Sequence, residues 1–341
     1  MTLVKRMKRP AIRTTLLATL FAAPLLLPLG GCNSNKPSGE QKDQLIELHK
    51  EMALGYYRMG ELDRAEGQAL KGLELAPKDD MLQLILAWTL QRKGSTQDVL
   101  RAEAIFKDLP QDDYRAVLGW AQALERKGQA YDEAGAAILA GERETEAEDP
   151  EQRAAELTAQ ARTTWQEAVG KYERTLELHP EDRDALNGLQ RVHALLEQYE
   201  ASLARSEELV ELIEAEVAFW EERLQAADLT ASEEQRFLQL VIDGRELQLG
   251  SYLQQASVLR ALGRRQEEIK RLTLAADIDP SRPDLYGRRA QAYMELEDFD
   301  AALRDIDEFL RLTPGDFDHP DTRMAHQLQT VCQERLAAET P

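Results

Sequence analysis

Apolar side chains in residues 283–314 recur at intervals of three and four, which is the spacing of one face of an α-helix. The segment predicts two short amphipathic helices closed by Pro314. Weaker copies of the pattern occur upstream, and no alternating strand pattern persists. Ala, Leu, Glu, Gln and Arg, all helix formers, dominate the sequence. We therefore predict an all-α protein.

The copies share one register. Pro280 lies 34 residues before Pro314, and Pro77 and Pro180 close similar units. Each unit places small and large residues at fixed positions, such as Ala290 and Tyr286 in the last one. The arrangement resembles the 34-residue tetratricopeptide repeat (TPR). The resemblance implies helix pairs that approach closely at the small residues and stack into a solenoid.

On this basis the sequence predicts a TPR-type solenoid of about seven helix pairs, with a capping helix in 315–341. Glu268 stands where the family has a small residue, so we expect that hairpin to be splayed. The pairs are divided as units 1–3 in 43–141, units 4–5 in 142–212 and units 6–7 in 249–314.

Residues 213–248 depart from the repeat. Helical periodicity continues about 15 residues beyond the expected end of one helix, and the next helix starts about 17 residues early. Neighbouring helices of a TPR array are antiparallel. The segment therefore predicts a helical hairpin arm that projects about 22–25 Å beyond the solenoid.

The N-terminal residues 1–31 have a basic start, a broken apolar run and a small-residue end, which predicts an export signal. The sequence from Leu29 to Cys32 resembles a bacterial lipobox, which implies a diacylated Cys32 and a flexible tether over 32–42. Asn33 directly follows Cys32. In the bacterial lipoproteins that this segment resembles, an aspartate at that position is associated with retention in the inner membrane. Asn33 therefore favours the outer membrane, facing the periplasm. The alternative is an ordinary signal peptide with an incidental cysteine.

The formal net charge of −20 disfavours nucleic acid and anionic membrane surfaces as partners. It is explained either by solvated outer helix faces or by steering of a basic partner. Cys332 would have no disulfide partner and lies on an apolar helical stripe. We find no phosphate loop, zinc motif or convincing metal cluster, and expect no enzyme activity and no cofactor.

The TPR resemblance implies a concave groove lined by fixed positions of each inner helix, and the arm carries an aromatic cluster. Lys50 matches one position of the TPR clamp for chaperone carboxylates, but Leu54 replaces its asparagine, so that specificity is unsupported. The candidate groove residues are Lys50, Tyr57, Arg58, Asn187, Arg191, Gln291 and Met294, and the candidate arm residues are Phe219, Trp220 and Phe237.

These features predict a membrane-anchored protein-interaction scaffold or assembly factor of the cell envelope. Its partners would be other envelope proteins or peptide segments, with the membrane reached through the lipid on Cys32. The alternative is an accessory subunit of a polysaccharide or cell-wall enzyme complex, contacting the polymer or its enzyme. Groove aromatics would favour the alternative, and Tyr57 is the one aromatic side chain among the assigned groove positions.

Overall fold

A computed structural model describes residues 39–144, 149–226, 228–313 and 320–339. The predicted export signal and Cys32 lie outside these ranges. Within them the protein forms thirteen helices and no strand, so the all-α prediction is confirmed. The helices are α1 (Gly39–Met59), α2 (Leu62–Leu75), α3 (Asp80–Lys93), α4 (Thr96–Asp108), α5 (Tyr114–Leu139), α6 (Pro150–Leu178), α7 (Arg183–Leu195), α8 (Tyr199–Arg223), α9 (Ala231–Ala261), α10 (Arg265–Ile278), α11 (Pro283–Glu295), α12 (Phe299–Leu312) and α13 (Pro320–Glu339).

Each helix packs against the helices before and after it, and the odd-numbered helices from α1 to α9 also contact one another in succession. This pattern gives a solenoid of six helix pairs followed by α13, with the odd helices side by side along one face. None of the described helices is long and apolar enough to cross a membrane.

A left-handed residue ends the first helix of most pairs. Gly60, Gly94 and Gly263 have φ near +75°, and Glu197 and Glu297 take the same conformation at φ 61°. All five occupy the fifteenth position of the repeat register. Left-handed backbone at the end of a helix lets the chain reverse, so this position makes the hairpin turn.

The third pair departs from the prediction. Gly128 occupies the fifteenth position of its unit, where the sequence predicts a turn, yet α5 runs through it to Leu139. The indole of Trp165 fills the adjacent space, since a Cβ on Gly128 would lie 2.4 Å from Nε1. Two predicted pairs are therefore one pair of long helices, which is why the array has six pairs where the sequence predicts about seven.

The long helices α5 and α6 are antiparallel along their length, as the stacked rings of Tyr114 and His179 and the Lys171 ammonium 3.6 Å from the Trp120 ring show. Their distal ends form a second projecting hairpin with its own apolar cluster, in which Ile138 packs with Ala154 and Leu157. The α5–α6 hairpin connects the two helices of one pair, whereas the α8–α9 hairpin connects two successive pairs. In an up-and-down array, connections within pairs and connections between pairs lie at opposite ends of the helices.

The predicted hairpin over 213–248 is formed by α8 and α9, but its base belongs to the solenoid core. Ile213, Val217 and Val241 are buried in a cluster with Leu186 of α7. Arg183, the first residue of α7, forms an ion pair of 2.8 Å with Glu216. Only about ten residues of α9 extend beyond Val241. The part of the hairpin that projects from the core is therefore about 15 Å long, which is shorter than predicted.

Two further differences concern local packing. The helix α1 begins at Gly39, inside the segment expected to be the tether. The hairpin of α9 and α10 is not splayed, because buried Glu268 forms ion pairs with Arg265 at 3.1 Å and Arg260 at 3.5 Å. Burying a carboxylate is tolerated when cations pair with it.

The last helix, α13, covers the end of the array. Cys332 is fully buried and clusters with Ala290, Ile306 and Ala325. The cysteine is thus a small apolar residue under the cap, as its position on the apolar stripe predicts.

Candidate functional site

The inner face of the first two pairs is held by internal contacts. Lys50 forms an ion pair of 2.8 Å with Asp79, the residue that caps α3, and Asp79 holds the pKa of Lys50 above its ordinary value. Tyr57 lies under the guanidinium of Arg92, 5.3 Å from the ring centroid. Arg58 is exposed. Two of these three predicted groove residues are therefore engaged within the protein.

Arginines at the thirteenth position link successive inner helices. Arg92 donates from Nη1 to the carbonyl of Tyr57 at 2.8 Å, and Arg126 donates from Nη1 to the carbonyl of Gln91 at 2.5 Å. Each bond satisfies a carbonyl near the end of the preceding inner helix, where intrahelical donors run out. The fourth pair has Leu195 at this position, so the ladder stops there.

The centre of the inner face contains a buried carboxylate. Glu125 is 4% exposed and accepts two bonds from Arg191, from Nε at 2.8 Å and from Nη2 at 2.9 Å. Tyr172 donates its hydroxyl to the same carboxylate at 2.5 Å. Burial, and next the charge of Glu125, raises the pKa of Tyr172, so the phenol remains a donor. Arg191 is therefore neutralised and is not a free cation for a ligand.

Apolar groove positions are also covered in this half. Leu84 and Leu118, which occupy groove positions of the second and third pairs, are each only 5% exposed. Burial raises the pKa of Tyr57 on α1, and the carboxylate of Asp184 on α7 adds to this rise while Arg92 opposes it. Little of the apolar floor of the groove therefore remains accessible in this half.

The C-terminal half is different. A pocket of about 460 Å³ lies between α11, α12 and α13. This size is within the ordinary range of ligand pockets, roughly 300–1,000 Å³. Its floor is apolar and its lining includes Gln291, one of the predicted groove residues, with Met294 packed nearby against the cap cluster. The apolar lining residues are Ala290, Ile306, Phe309, Met324, Ala325 and Leu328.

A large residue facing a glycine shapes this pocket. Phe309 stands where the TPR pattern favours a small residue, and Gly287 stands opposite it. A Cβ on Gly287 would lie 3.3 Å from Cδ2 of Phe309, so the absence of a side chain gives the ring its place. Met324 of α13, at the other side, is 51% exposed.

The arm presents the aromatic side chains at its distal end. Trp220 stacks on Phe237 across the hairpin, with centroids 5.1 Å apart, and meets Phe219 edge to face at 4.8 Å. Phe219 is 50% exposed, whereas Trp220 and Phe237 are partly buried. Packing between α8 and α9 thus accounts for Trp220 and Phe237, and Phe219 is the accessible member.

The predicted site residues therefore fall into separate places. Lys50, Tyr57 and Arg58 lie at the N-terminal end, Asn187 and Arg191 at the centre, and Gln291 and Met294 at the C-terminal pocket, while the aromatic residues are on the arm. Asn187 accepts a bond of 2.7 Å from Gln190. Sequence reasoning missed Glu125, the partner of Arg191, although it occupies the twelfth position of its unit. It placed Tyr172 in the repeat as a packing residue and missed the hydrogen bond of Tyr172 to Glu125. It also missed Arg92 and Arg126, which the thirteenth position of the register could have identified.

Comparison with known proteins supports the repeat. Residues 283–316 match the family model for the tetratricopeptide repeat. The last helix pair, which forms most of the pocket, is the matched repeat. No curated protein matches the chain by sequence.

The solved structures that match the chain are distant from it in sequence. A structure described as a functional characterisation of Pseudomonas aeruginosa pilF is 14% identical, covers 84% of this chain and 98% of its own, and has a TM-score of 0.45. A MamA RS-1 double mutant is 13% identical, with coverages of 69% and 94% and a TM-score of 0.42. A tetratricopeptide repeat protein from Parabacteroides merdae is 14% identical, with coverages of 85% and 99% and a TM-score of 0.35.

Proposed function

We propose that this protein is a lipid-anchored interaction scaffold of the bacterial cell envelope that binds a segment of a partner protein in its C-terminal pocket. One observation carries the binding part of the proposal. On the inner face of the first four pairs, Lys50, Tyr57 and Arg191 are engaged within the protein. The pocket beside α13 instead has an apolar lining that includes the half-exposed side chain of Met324. Exposed apolar concavities with a few polar groups are typical of binding sites.

The envelope part rests on the sequence. The signal-like residues 1–31 and the lipobox ending at Cys32 support lipid anchoring, and Asn33 supports the outer membrane. The helical body starts at Gly39, only a few residues after the anchor. The pocket lies at the opposite end of the array, so the scaffold would hold its partner one array length from the attachment point.

Site-specific photocrosslinking in cells tests the binding. A benzoylphenylalanine at Met324 points into the pocket region, and one at Val331 serves as the control, because that residue is 41% exposed on the same helix but does not line the pocket. We expect discrete adducts from position 324 and none of the same mass from position 331. Adducts from both positions or from neither would contradict pocket binding, and a third probe at Phe219 would show whether the arm is used instead.

Fractionation tests the anchor. Cys32→Ala should remove the lipid and release the protein into the soluble fraction. Retention of the variant in membranes would contradict lipid anchoring at this cysteine and leave pocket binding untouched.

A further inference from the structure

The two ends of the helix array are finished differently. At the C-terminal end, α13 covers Ala290 and Ile306 of the last pair. At the N-terminal end, α1 packs against α2 and α3, and residues 39–45 at its start are exposed. The terminal repeats of a solenoid usually present a polar outer face. The outer face of α1 is apolar instead.

Four large apolar side chains and one glycine follow one another along this face at intervals of three and four residues. They are Leu45, Leu48, Met52, Gly55 and Met59, and we call them the α1 stripe. Leu45, Leu48 and Met59 are 39%, 47% and 64% exposed. A Cβ added to Gly55 would meet nothing within 4 Å, so the middle of the face is open as well. These intervals keep the residues on one side of the helix over about four turns.

The repeat register shows how the same face is used elsewhere in the array. Leu48 occupies the third position of its unit, and in the five later pairs the residue at this position is at most 1% exposed. Those residues are Leu82, Ala116, Ala185, Ser251 and Leu285. The second helix of the preceding pair covers them, and Leu285, for example, clusters with Leu272 of α10. The α1 stripe is thus an interface face, and the described residues provide no preceding pair for it.

Neither the adjoining chain nor a second copy fits this face well. The six residues between Cys32 and Gly39 are polar apart from one proline and offer no large apolar side chain. A stable protein interface uses about 20–30 residues on each side, whereas the stripe has five. A lipid surface has no such requirement, because it accepts any apolar helix face that reaches it.

The proposed anchor puts a lipid surface within reach. The seven residues from Cys32 to Gly39 extend at most about 25 Å, so a lipid on Cys32 holds the start of α1 within that distance of the membrane. Leu45 follows six residues later, about 9 Å along the helix. Tethering raises the effective concentration of a weak contact. The membrane is therefore the apolar surface that the stripe meets most often.

We propose that the α1 stripe lies on the lipid surface, with α1 parallel to the membrane, and thereby orients the whole array. The lipid on Cys32 supplies attachment and the stripe supplies direction. Because the stripe is on the end face of the array, the helix pairs stand away from the membrane and the C-terminal pocket is at the far end. The net charge of −20 opposes anionic lipids, so the surface is zwitterionic. The proposal rests on the lipid anchor proposed above.

Quenching by labelled lipid tests this contact on the full-length lipoprotein in vesicles of phosphatidylcholine and phosphatidylethanolamine. An environment-sensitive NBD fluorophore is attached to Leu48→Cys or, in a matched protein, to Glu47→Cys, the preceding residue on a different side of α1. Cys332 is fully buried and stays unlabelled. When part of the phosphatidylcholine carries a doxyl quencher near the headgroup, we expect the label at position 48 to be quenched at least threefold more strongly than the label at position 47.

Matched variants assign the effect. Adding Leu45→Asp and Met59→Asp to the Leu48→Cys protein should lower its quenching to the level of position 47, because both changes put a charge on the stripe. Adding Leu70→Asp instead, on an exposed residue of α2 outside the stripe, should leave the quenching unchanged. Circular dichroism checks that each variant is folded.

Three results would overturn the lipid contact. These are equal quenching at positions 47 and 48, quenching at 48 that survives the two aspartates, and a blue-shifted emission at 48 without lipid quenching. The third result would show that protein, such as a second copy, covers the stripe. Co-sedimentation of the protein with the vesicles is measured first. Its absence would overturn the anchor and the contact together, whereas a failed contact with intact co-sedimentation leaves the anchor standing.

Discussion

The ring of Tyr172 on α6 lies directly against the backbone of Gly188 on α7. A Cβ at position 188 would come within 2.2 Å of Cζ of that ring. Tyr172 is fully buried, and its hydroxyl is fixed by the bond to Glu125. The ring therefore has little freedom to move away, and this contact sets the spacing between the third and fourth helix pairs.

Gly188→Ala should consequently destabilise the protein. Overpacking costs about 1–3 kcal/mol, and the gain in helix propensity on replacing glycine is about 1 kcal/mol. Since Tyr172 is fixed, we expect a net loss at the upper end of this difference, about 2 kcal/mol, in the free energy of unfolding by urea. Gly170→Ala is the control, because nothing lies within 4 Å of its added Cβ. That variant should be as stable as wild type or more so, and an equal loss in both variants would contradict the role of Tyr172.

Arg191→Met should also be destabilising, because it leaves the buried carboxylate of Glu125 with Tyr172 as its remaining side-chain donor. Removing one partner of a buried ion pair costs about 3–5 kcal/mol. The Arg191 side chain is 40% exposed, so we expect about 2 kcal/mol after allowance for solvent screening.

Two further variants check this interpretation in the same urea denaturation. Glu125→Leu combined with Arg191→Met should recover a large part of the loss, since no buried charge is left unpaired. Arg174→Met breaks an exposed pair with Glu177 and should have little effect. Similar losses for Arg174→Met and Arg191→Met would show that burial of Glu125 does not matter.

The comparison of Gly94 with Gly128 shows how far the sequence predicts this fold. Both occupy the fifteenth position, and the same residue type makes a left-handed turn at Gly94 but lies inside a helix at Gly128. The difference comes from Trp165, which is 37 residues further along the sequence and takes the space beside Gly128. Helix type and amphipathic faces are local properties and could be predicted. Whether a hairpin turns at one glycine depends on a tertiary contact and could not.

The candidate site shows the same limit. The repeat positions of Gln291 and Met294 predict that both lie in the groove, and the structure puts both at the C-terminal pocket. Glu125 and Arg191 lie on the same inner face, but their ion pair joins two different units and becomes visible only in the structure. Repeat register predicts which face a residue occupies, but pairing depends on neighbours from other units.

Glu268 should make stability depend on pH. Burial raises the pKa of its carboxyl above the ordinary value, although Arg260 and Arg265 oppose this. A raised pKa means that the native state holds the proton more tightly than the unfolded state, so stability is lost as pH rises from the ordinary pKa through the raised one. Glu268→Gln mimics the neutral form. The melting temperature of this variant, relative to wild type, should therefore be higher at about pH 7.5 than at about pH 4.

The neighbouring residue provides a control of opposite sign. Arg264 donates to Glu267 and holds the pKa of this partly exposed carboxyl below its ordinary value. The ionised Glu267 therefore contributes to the free energy of unfolding above the ordinary pKa of a glutamate. This contribution is lost as the pH falls through the lowered pKa of the folded state. Relative to wild type, Glu267→Gln should be no better, or slightly worse, at about pH 7.5 than at about pH 4. The same pH trend in both variants would rule out the burial of Glu268 as the cause.

Shortening the arm should separate its free part from its base. Replacing residues 220–240 with a Gly-Asn-Gly turn removes Trp220 and Phe237 but keeps Ile213, Val217 and Val241. Those three residues are at most 7% exposed and pack with Leu186. Of the segment removed, Trp220 and Leu224 reach this cluster only as partly buried residues at its edge, and Trp220 also stacks on Phe237. We expect the melting temperature to fall by only a few degrees, which corresponds to about 1 kcal/mol.

The longer deletion of residues 214–247 removes Val217 and Val241 and should behave differently. Loss of large apolar side chains from a core costs about 2–5 kcal/mol for each when the site cannot collapse, and Leu186 would then face solvent. Unfolding followed by circular dichroism should show a large drop in melting temperature or a second transition from pairs four and five. If both deletions melt like wild type, then the base of the arm is no part of the core. If both deletions lower the melting temperature equally, the distal aromatic cluster contributes to stability. Phe219 would then be better explained as a packing residue at the edge of that cluster than as a contact for a partner.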